Sequence, residues 1–243
     1  MNTAYTEGQY DSNYPDGVER HWWNVSRNAL VAKLVGWSGQ ASGRWLEVGC
    51  GRGIVVADLR RQGIDCDGIE LASAIPLEPA RPYVRTGQDA LDVPEYERVK
   101  YTGLLLLDVI EHVPDAVSFV RMLLEAYPGI SCVIVTVPAR SEIWSNYDLE
   151  YGHFRRYSLD LLGDELAAAG LSVRDRSYFF RAPYWVARWM KFIGIERATR
   201  MVSPSRGLAS IAHRLLGGLM LLDMRLLKPF RHGSSAYAVC RRG

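Results

Sequence analysis

One turn of the chain has residue types at the spacing of a nucleotide-like ligand site. Glu47, Gly49, Gly51 and Gly53 alternate directly after the short apolar run that begins at Arg44. Glycines let the backbone approach a ligand closely, and the amide groups that open the following helix attract polar groups. A dinucleotide fingerprint G-x-G-x-x-G would need glycine at position 54, where this chain has isoleucine. The missing glycine counts against a dinucleotide, and a plain tight turn is the alternative to a ligand site, so the elements that follow must decide.

Three acids follow this turn at regular intervals, each at or after the end of a predicted strand. Glu70 ends the run that starts at Ile64, and Asp89 and Asp108 come next at equal spacing. A carboxylate about 20 residues beyond such a glycine turn can accept hydrogen bonds from both ribose hydroxyls. The alternative for Glu70 is a solvated strand end. The run Leu104 to Leu107 before Asp108 is apolar throughout, which is typical of a parallel strand buried on both faces.

This order of motifs resembles the class I S-adenosylmethionine (SAM)-dependent methyltransferases, over about residues 20 to 180. In that family the first acid and the glycines hold the amino-acid end of SAM, and a later acid binds the adenine amino group. The resemblance implies that SAM is the methyl donor and that S-adenosylhomocysteine (SAH) is the product. The cofactor-binding residues that it implies are Trp23, Arg27, Glu47, Gly49, Cys50, Gly51, Gly53, Glu70, Leu71, Gln88, Asp89, Ala90, Leu107 and Asp108.

These elements predict an α/β fold with a Rossmann-like, doubly wound, mostly parallel sheet of seven strands. An N-terminal cover helix is expected over Val18 to Trp37, and a helical insertion is expected before the last strand. The predicted divisions are a flexible lead at 1–17, a SAM-binding core at 18–180, a basic amphipathic insertion at 181–232 and the final strand at 233–243.

The segment from His21 to Arg27 resembles an element at the start of many class I methyltransferases, where the first helix lies over the SAM pocket. By this resemblance, Trp23 forms an apolar wall and Arg27 binds the SAM carboxylate. The alternative is an amphipathic cover helix with an exposed arginine.

An irregular stretch from Ala139 to Tyr157 follows the predicted fifth strand, Ser131 to Pro138. It contains the first candidate for a general base, His153. Its surroundings resemble the G-x-H-x-x-x-aromatic element that closes the acceptor side in ubiquinone-pathway O-methyltransferases, although here Gly152 directly precedes the histidine. Imidazole titrates near neutral pH, which suits proton removal from an acceptor hydroxyl. A surface histidine is the alternative, and His112 is the second candidate. Arg155 and Arg156 suit an anionic acceptor or the solvated side of a loop.

Asp108, Glu111 and His112 raise the question of a metal. A comparable acid-x-x-acid-histidine run has been linked to a divalent cation in the ubiquinone-type enzymes, and two carboxylates and an imidazole can bind one. The same pattern also occurs where the first acid lines the SAM pocket and the others begin a helix. We therefore expect no metal.

The insertion before the last strand carries ten Arg or Lys residues against Glu196 and Asp223 only, whereas the whole chain has a net charge of +2. Its apolar residues recur at helical spacing and include Trp185 and Trp189. A basic amphipathic segment of this kind can lie in a membrane interface, here over 183–231. The alternatives are a cap over the acceptor pocket or an oligomer contact. No nucleic-acid recognition motif is present, so no nucleic-acid partner is expected.

The four cysteines form no C-x-x-C pair, which favours reduced, buried thiols in the cytoplasm. The N-terminus lacks the features of a signal peptide, and the longest apolar run, Leu215 to Leu222, is too short to span a bilayer. We expect a cytoplasmic protein associated with the inner face of the membrane.

The predicted activity is methyl transfer to oxygen, because the chain lacks the N/D-P-P-Y motif of exocyclic-amine methyltransferases after the fourth strand. A bulky or anionic acceptor, such as a lipid-linked saccharide, is favoured by the basic insertion, and a quinone-type phenol or other small molecule is the alternative. Two other classes of protein are alternatives to a methyltransferase: an NAD-dependent dehydrogenase and a SAM-binding protein without turnover.

Overall fold

The structure, a computed structural model, describes residues 15–199, 202–205, 207–226 and 232–243. Its centre is one sheet of seven strands in the order β3-β2-β1-β4-β5-β7-β6. Strands β1 to β5 run parallel, and β7 is antiparallel to both of its neighbours. The predicted seven-stranded, mostly parallel sheet is confirmed. The strands are β1 Trp45–Val48, β2 Cys66–Glu70, β3 Val84–Thr86, β4 Gly103–Leu107, β5 Cys132–Pro138, β6 Leu171–Phe179 and β7 Ser235–Arg242.

Helices flank both faces of this sheet, as a doubly wound fold requires. They are α1 Trp22–Trp37, α2 Ile54–Arg61, α3 Glu95–Arg98, α4 Ala116–Ala126, α5 Asn146–Glu150, α6 Leu159–Ala168, α7 Arg181–Phe192 and α8 Leu208–Leu226. None of the described helices combines the length and the apolar character that crossing a bilayer requires.

The central strand β4 shows why the sheet is covered on both sides. All five of its residues are buried. Alternate side chains of a strand point to opposite faces, so burial of all five requires cover on both faces of the sheet. Leu104 and Leu106 belong to one apolar cluster, whereas Leu105 and Leu107 belong to the other. Both faces of β4 therefore contribute to the core, and its carboxyl end opens at the edge where the ligand cavity lies.

The N-terminal cover helix starts four residues later than predicted. A single 3-10 turn occupies Val18–Arg20 behind Gly17, and α1 begins at Trp22. Helix α8 packs along α1, and the Nδ1 atom of His213 accepts a hydrogen bond from the Trp22 amide at 3.3 Å. Most of the predicted flexible lead, residues 1–14, lies outside the described residues.

The sixth strand ends at Phe179, because Phe180 adopts a left-handed backbone (φ 60°) from which α7 begins. The chain returns to the sheet beside this point, where the amide of Ser234 donates to the Phe180 carbonyl at 3.1 Å. Between these positions lies the predicted insertion 181–232, of which residues 200, 201, 206 and 227–231 are outside the described part.

Candidate active site

The turn between β1 and α2 has the close backbone approach that its glycines predict. Gly49, Gly51 and Gly53 all have positive φ angles, of 76°, 55° and 78°. A Cβ atom at Gly49 would lie 2.8 Å from Val109, and one at Gly53 would lie 2.7 Å from Ala80. Both positions therefore exclude side chains on conformational and on steric grounds.

Glu70, at the end of β2, ties this turn to the next loop. Its Oε2 atom accepts the amide hydrogen of Gly51 at 2.8 Å, and its Oε1 atom accepts that of Ala72 at 2.9 Å. An ionised carboxylate has about four acceptor sites, so each oxygen keeps capacity for a further donor. Glu70 thus positions the backbone around the site and still faces the cavity.

A cavity of about 650 Å³ opens at the carboxyl ends of β1, β2 and β4. Parallel sheets bind ligands at this edge, where the strand order reverses. The predicted cofactor residues that line it are Trp23, Arg27, Gly49, Glu70, Leu71, Gln88, Asp89, Ala90, Leu107 and Asp108. Four of the predicted cofactor residues do not line the cavity, namely Glu47, Cys50, Gly51 and Gly53. Of these, Glu47 and Cys50 have buried side chains.

Glu47 is a buried carboxyl with one oxygen, Oε2, that lacks a hydrogen-bond partner. Burial raises the pKa of Glu47 to about 8, with smaller contributions from Glu70 and Asp108, although Arg27 opposes the shift. Glu47 is therefore largely protonated at neutral pH, unless a positively charged group of a ligand is added beside it.

Asp108 is paired with an arginine of the cover helix. The Nη1 atom of Arg27 lies 2.8 Å from Asp108 Oδ2, and its guanidinium carbon lies 4.4 Å from the centre of the Trp23 ring. Asp108 itself has a φ of 56°, a strained conformation for a non-glycine residue that is common at functional sites. The assignment of Arg27 to the SAM carboxylate stays a prediction, because its observed partner is Asp108.

The opposite end of the cavity contains a buried network around Asp148. One ring nitrogen of His153, Nδ1, lies 2.8 Å from Asp148 Oδ1, and Arg156 Nε lies 2.6 Å from the same oxygen. Asp148 also accepts the amide hydrogen of Ser145, and its side chain is 0% exposed. Burial raises the pKa of Asp148, but His153, Arg156 and Ser145 outweigh it and lower the pKa to about 2. Because Asp148 is ionised, Nδ1 of His153 must carry the proton.

Both histidine candidates line the cavity, and their ring centres are 4.8 Å apart. Burial, followed by the proximity of His153, lowers the pKa of His112 to about 4. Of the two predicted loop arginines, Arg156 lines the cavity but is committed to Asp148, and Arg155 is paired with Glu165 at 2.9 Å. Neither loop arginine therefore offers a free positive charge to an acceptor.

A divalent cation would meet a different set of ligands from the one that the sequence suggested. Asp108 is held by Arg27, whereas Glu111, His112 and His153 each offer a ligand atom within 4.8 Å of the others. Within the part of the chain that the structure describes, neither carboxylate oxygen of the fully buried Glu111 has a hydrogen-bond partner. One carboxylate and two imidazoles are a donor set that suits a divalent cation. These residues therefore fit a metal, although the sequence led us to expect none.

Several cavity residues were not identified from the sequence. Asp148 carries no motif, and only its position five residues before His153 connects the two. Tyr147 and Tyr151 stack on one another with ring centres 4.2 Å apart, and Arg197 reaches the cavity from the insertion. The tyrosines stand four residues apart on one side of α5, which is the one signal that could have paired them.

Comparison with known proteins agrees with this geometry. Residues 24–175 match the family described as Methyltransferase domain. The chain is similar to ubiquinone biosynthesis O-methyltransferases, with 28% identity over 198 residues to that of Alkalilimnicola ehrlichii (72% of this chain and 74% of that protein). The corresponding protein of Acinetobacter baylyi is 31% identical over 94 residues, and that of Escherichia coli is 25% identical over 150 residues. These matches cover 34% and 53% of this chain. The chain spans only 38% and 61% of the lengths of the latter two proteins.

Solved structures share the fold at low sequence identity. They include the methyltransferase domain of bacterial CtHen1 (TM-score 0.55, 15% identity, 90% of this chain and 98% of that chain). Magnesium protoporphyrin IX methyltransferase from Synechocystis, solved with bound SAH, has a TM-score of 0.53 at 13% identity (90% and 83%). The [4+2]-cyclase SpnF has a TM-score of 0.56 at 17% identity (90% and 82%). Because the family match spans more than half of the chain and the sheet has the family's topology, the protein belongs to the class I SAM-dependent methyltransferases.

Proposed function

We propose that this methyltransferase transfers the methyl group of SAM to a hydroxyl oxygen, and that His153 removes the proton of that hydroxyl. The observation that supports this proposal is the pairing of His153 Nδ1 with the buried, ionised Asp148 at 2.8 Å. This pairing directs the Nδ1 proton to Asp148, so Nε2 is the ring nitrogen of His153 that can accept the acceptor proton in the cavity.

The reaction demands alignment and proton removal rather than covalent catalysis. Bound SAM supplies a methyl carbon on a sulfonium, whose carbon–sulfur bond breaks with its electron pair on sulfur to leave SAH. His153 Nε2 accepts the acceptor proton as the acceptor oxygen bonds to the methyl carbon. Asp148 stabilises the imidazolium that forms, because its negative charge lies directly on Nδ1.

The cofactor end of the cavity is formed by Glu70, Asp89 and Asp108, so the acceptor end is the part around Tyr147 and His153. Aromatic and apolar side chains in this part bury the acceptor and exclude water. Glu111, His112 and His153 would hold a divalent cation that polarises the acceptor oxygen. Because Nδ1 of His153 is bonded to Asp148, His153 would then be a ligand through Nε2, and this polarisation would replace its role as the base.

The acceptor that we favour is bulky and presented at a membrane surface, as a lipid-linked saccharide would be. Helix α7 buries Tyr184 and Ala187, whereas Trp189 and Phe192 on its other side are 61% and 88% exposed. The exposed arginine and lysine residues of the same helix, Arg188 and Lys191, complement anionic lipid headgroups. A quinone-type phenol is the alternative acceptor, supported by the similarity of this chain to ubiquinone biosynthesis O-methyltransferases.

Methyl-labelled SAM incubated with a cell lysate tests the activity directly. We expect label to move into solvent-extractable material in the presence of the protein, and His153→Ala to lower transfer while SAH affinity stays near that of the wild type. Label in a water-soluble product would count against the membrane-presented acceptor. SAH binding with no transfer to any fraction would instead favour a SAM-binding protein without turnover. The [4+2]-cyclase SpnF, which has a similar fold, is named for a reaction other than methyl transfer.

Vesicle co-sedimentation tests the membrane surface. We expect binding to phosphatidylglycerol vesicles that falls with salt, and weak binding to phosphatidylcholine vesicles. Trp189→Ser should reduce this binding, whereas Trp37→Ser, which alters a comparably exposed tryptophan (56%) on α1, should not. Equal binding of both variants, or a concentration-dependent dimer in place of lipid binding, would contradict the assignment.

A further inference from the structure

We infer that Arg197 is the binding residue for a carboxylate or phosphate group of the acceptor. This inference rests on the proposed function, because it assigns a chemical class to the molecule that His153 deprotonates. Arg197 lies between α7 and α8 in the basic insertion, and its side chain lines the same cavity as His153.

The backbone at Arg197 is fixed by α5, the short helix that also carries Asp148. The side chain of Asn146 accepts the Arg197 amide hydrogen at 3.0 Å and donates to the Arg197 carbonyl at 2.8 Å. Two residues further on, the hydroxyl of Tyr151 donates to the Thr199 carbonyl at 2.8 Å. These three bonds involve only main-chain groups of the insertion, so they do not depend on the arginine side chain.

The direction of the guanidinium is set by an aromatic ring of the acceptor pocket. The guanidinium carbon of Arg197 lies 4.6 Å from the centre of the Tyr147 ring, which is a cation–π contact. The same ring lies 6.3 Å from the ring of His153. The proposed base and the proposed anion-binding group are therefore both neighbours of Tyr147, within reach of one small ring-containing molecule.

The charge of Arg197 differs from the other arginine charges of the site. Arg27 is paired with Asp108, Arg155 with Glu165 and Arg156 with Asp148. Within the described ranges 15–199, 202–205, 207–226 and 232–243, no carboxylate forms an ion pair with the Arg197 guanidinium.

Among the described residues, Asp148 forms no direct ion pair with Arg197, and its hydrogen bonds go to His153, Arg156 and the Ser145 amide. Its negative charge raises the pKa of Arg197 less than burial lowers it. Burial, together with the positive charge of Arg156, lowers the pKa of Arg197. An arginine nevertheless stays protonated in proteins. A partly buried guanidinium of this kind gains most from an anion that accepts two parallel hydrogen bonds, as carboxylate and phosphate groups do.

The experiment uses the full chain and three variants. Arg197→Met removes the charge, Arg197→Lys keeps it, and Arg174→Met removes an exposed arginine charge of β6 outside the cavity. With methyl-labelled SAM and lysate, we expect the labelled product to be retained on an anion exchanger. Arg197→Met should raise the KM for the acceptor about 10- to 100-fold, with a smaller change in kcat, because a charge-assisted hydrogen bond is lost. Arg197→Lys should recover part of this loss, and Arg174→Met should resemble the wild type.

Phosphatase treatment of the labelled product distinguishes the two anions. Loss of retention on the exchanger identifies a terminal phosphate. A parallel phosphodiesterase treatment detects an esterified phosphate, and retention that survives both treatments identifies a carboxylate. A product that is neutral before treatment, or a KM that Arg197→Met does not change, would overturn the assignment while leaving the methyltransferase activity in place.

Direct binding gives a second readout that needs no turnover. We expect SAH-loaded protein to bind benzoate and phenyl phosphate more tightly than the neutral benzamide, and Arg197→Met to abolish this preference. Equal binding of the three compounds to the wild type would overturn the role of Arg197. Absence of any labelled product, with the anion preference intact, would instead contradict the proposed function alone.

Discussion

Arg27 and Asp108 are 81 positions apart in the sequence, yet their side chains form an ion pair of 2.8 Å. Asp148 likewise contacts two side chains through one oxygen, with His153 on the cavity side and Arg156 behind it. These contacts place the functional groups in fixed orientations before any ligand binds. Preorganised groups of this kind lower the cost of reaching the transition state.

Asp148→Asn tests the orienting role of this carboxylate. The amide cannot supply the negative charge that stabilises imidazolium, so we expect turnover to fall about 10²-fold or more. Affinity for SAH, measured by calorimetry, should stay near that of the wild type because Asp148 is at the acceptor end. The imidazole Nδ1 proton, followed by NMR, should lose the chemical shift of a carboxylate-bound proton.

Asp160→Asn is the matched control, since Asp160 is an exposed acid whose Arg176 partner lies at the surface. It should leave turnover unchanged. Wild-type turnover in Asp148→Asn would remove Asp148 from the mechanism. A variant that loses SAH affinity as well would indicate a general structural role.

Single residues of the site were partly predictable. Glu70, Asp89 and Asp108 follow strand ends at regular spacing, so local patterns identify them, and they line the cavity. The partners of charged groups were not predictable, because an arginine at position 27, 155 or 156 looks the same in sequence whether it is paired or free. Arg197 was predicted only as one basic residue among ten, since its position depends on backbone bonds to Asn146, 51 residues earlier.

At the scale of elements, helix α2 is bounded by two glycines in the same left-handed conformation. Gly53, with φ of 78°, precedes the helix, and Gly63, with φ of 80°, follows it. They differ in their surroundings, because a Cβ atom at Gly53 would lie 2.7 Å from Ala80 and from Val84, whereas one at Gly63 would meet no atom within 4 Å.

Replacing each of these glycines by alanine separates conformational strain from steric conflict. Gly63→Ala should cost about 1–2 kcal/mol of the free energy of unfolding, from the left-handed backbone alone. Gly53→Ala should cost more and should also weaken SAH binding, because Ala80 and Val84 must move and the glycine turn moves with them. Urea unfolding and SAH calorimetry on both variants provide the comparison. Equal destabilisation with unchanged SAH affinity in both would contradict a steric requirement at Gly53.

Helices and strands whose own sequence has a clear pattern were predicted more closely than those whose position depends on contacts with distant segments. The apolar β4 lies where the sequence placed it, with Gly103 added before the predicted run Leu104 to Leu107. The start of α1 was misplaced, because Gly17 allows a 3-10 turn before the helix. The packing of α8 on α1 depends on contacts between segments far apart in sequence, which periodicity alone does not report.

At the scale of the whole molecule, the buried carboxyl of Glu47 makes the free energy of unfolding depend on pH. Its pKa is raised to about 8 in the folded protein, against 4.5 for an ordinary glutamate. Between these pH values the unfolded chain has released this proton while the folded protein still holds it. The free energy of unfolding should therefore fall as the pH rises from 4.5 to 8, and this contribution should level off above pH 8.

Glu47→Gln, which keeps the shape but cannot ionise, should remove this part of the pH dependence. Urea unfolding at pH 5, 6, 7 and 8 without SAH would give the difference between the two proteins, which cancels the contributions of other titrating groups. The variant should gain stability relative to the wild type as the pH rises. A constant difference across the series would show that Glu47 does not titrate in this range.

The way in which the insertion joins the sheet affects how this protein can change during evolution. The insertion leaves β6 and re-enters before β7 at positions whose main chains are hydrogen-bonded, Phe180 and Ser234. A long excursion between adjacent ends costs little in loop entropy and leaves the strand registers untouched. Most of the residues predicted to hold the methyl donor lie at strand ends, and His153 lies in the segment after β5, whereas Arg197 comes from this excursion. Replacement of one contiguous segment can therefore change the proposed anion-binding residue during evolution, while the predicted methyl-donor site and the proposed base stay in place.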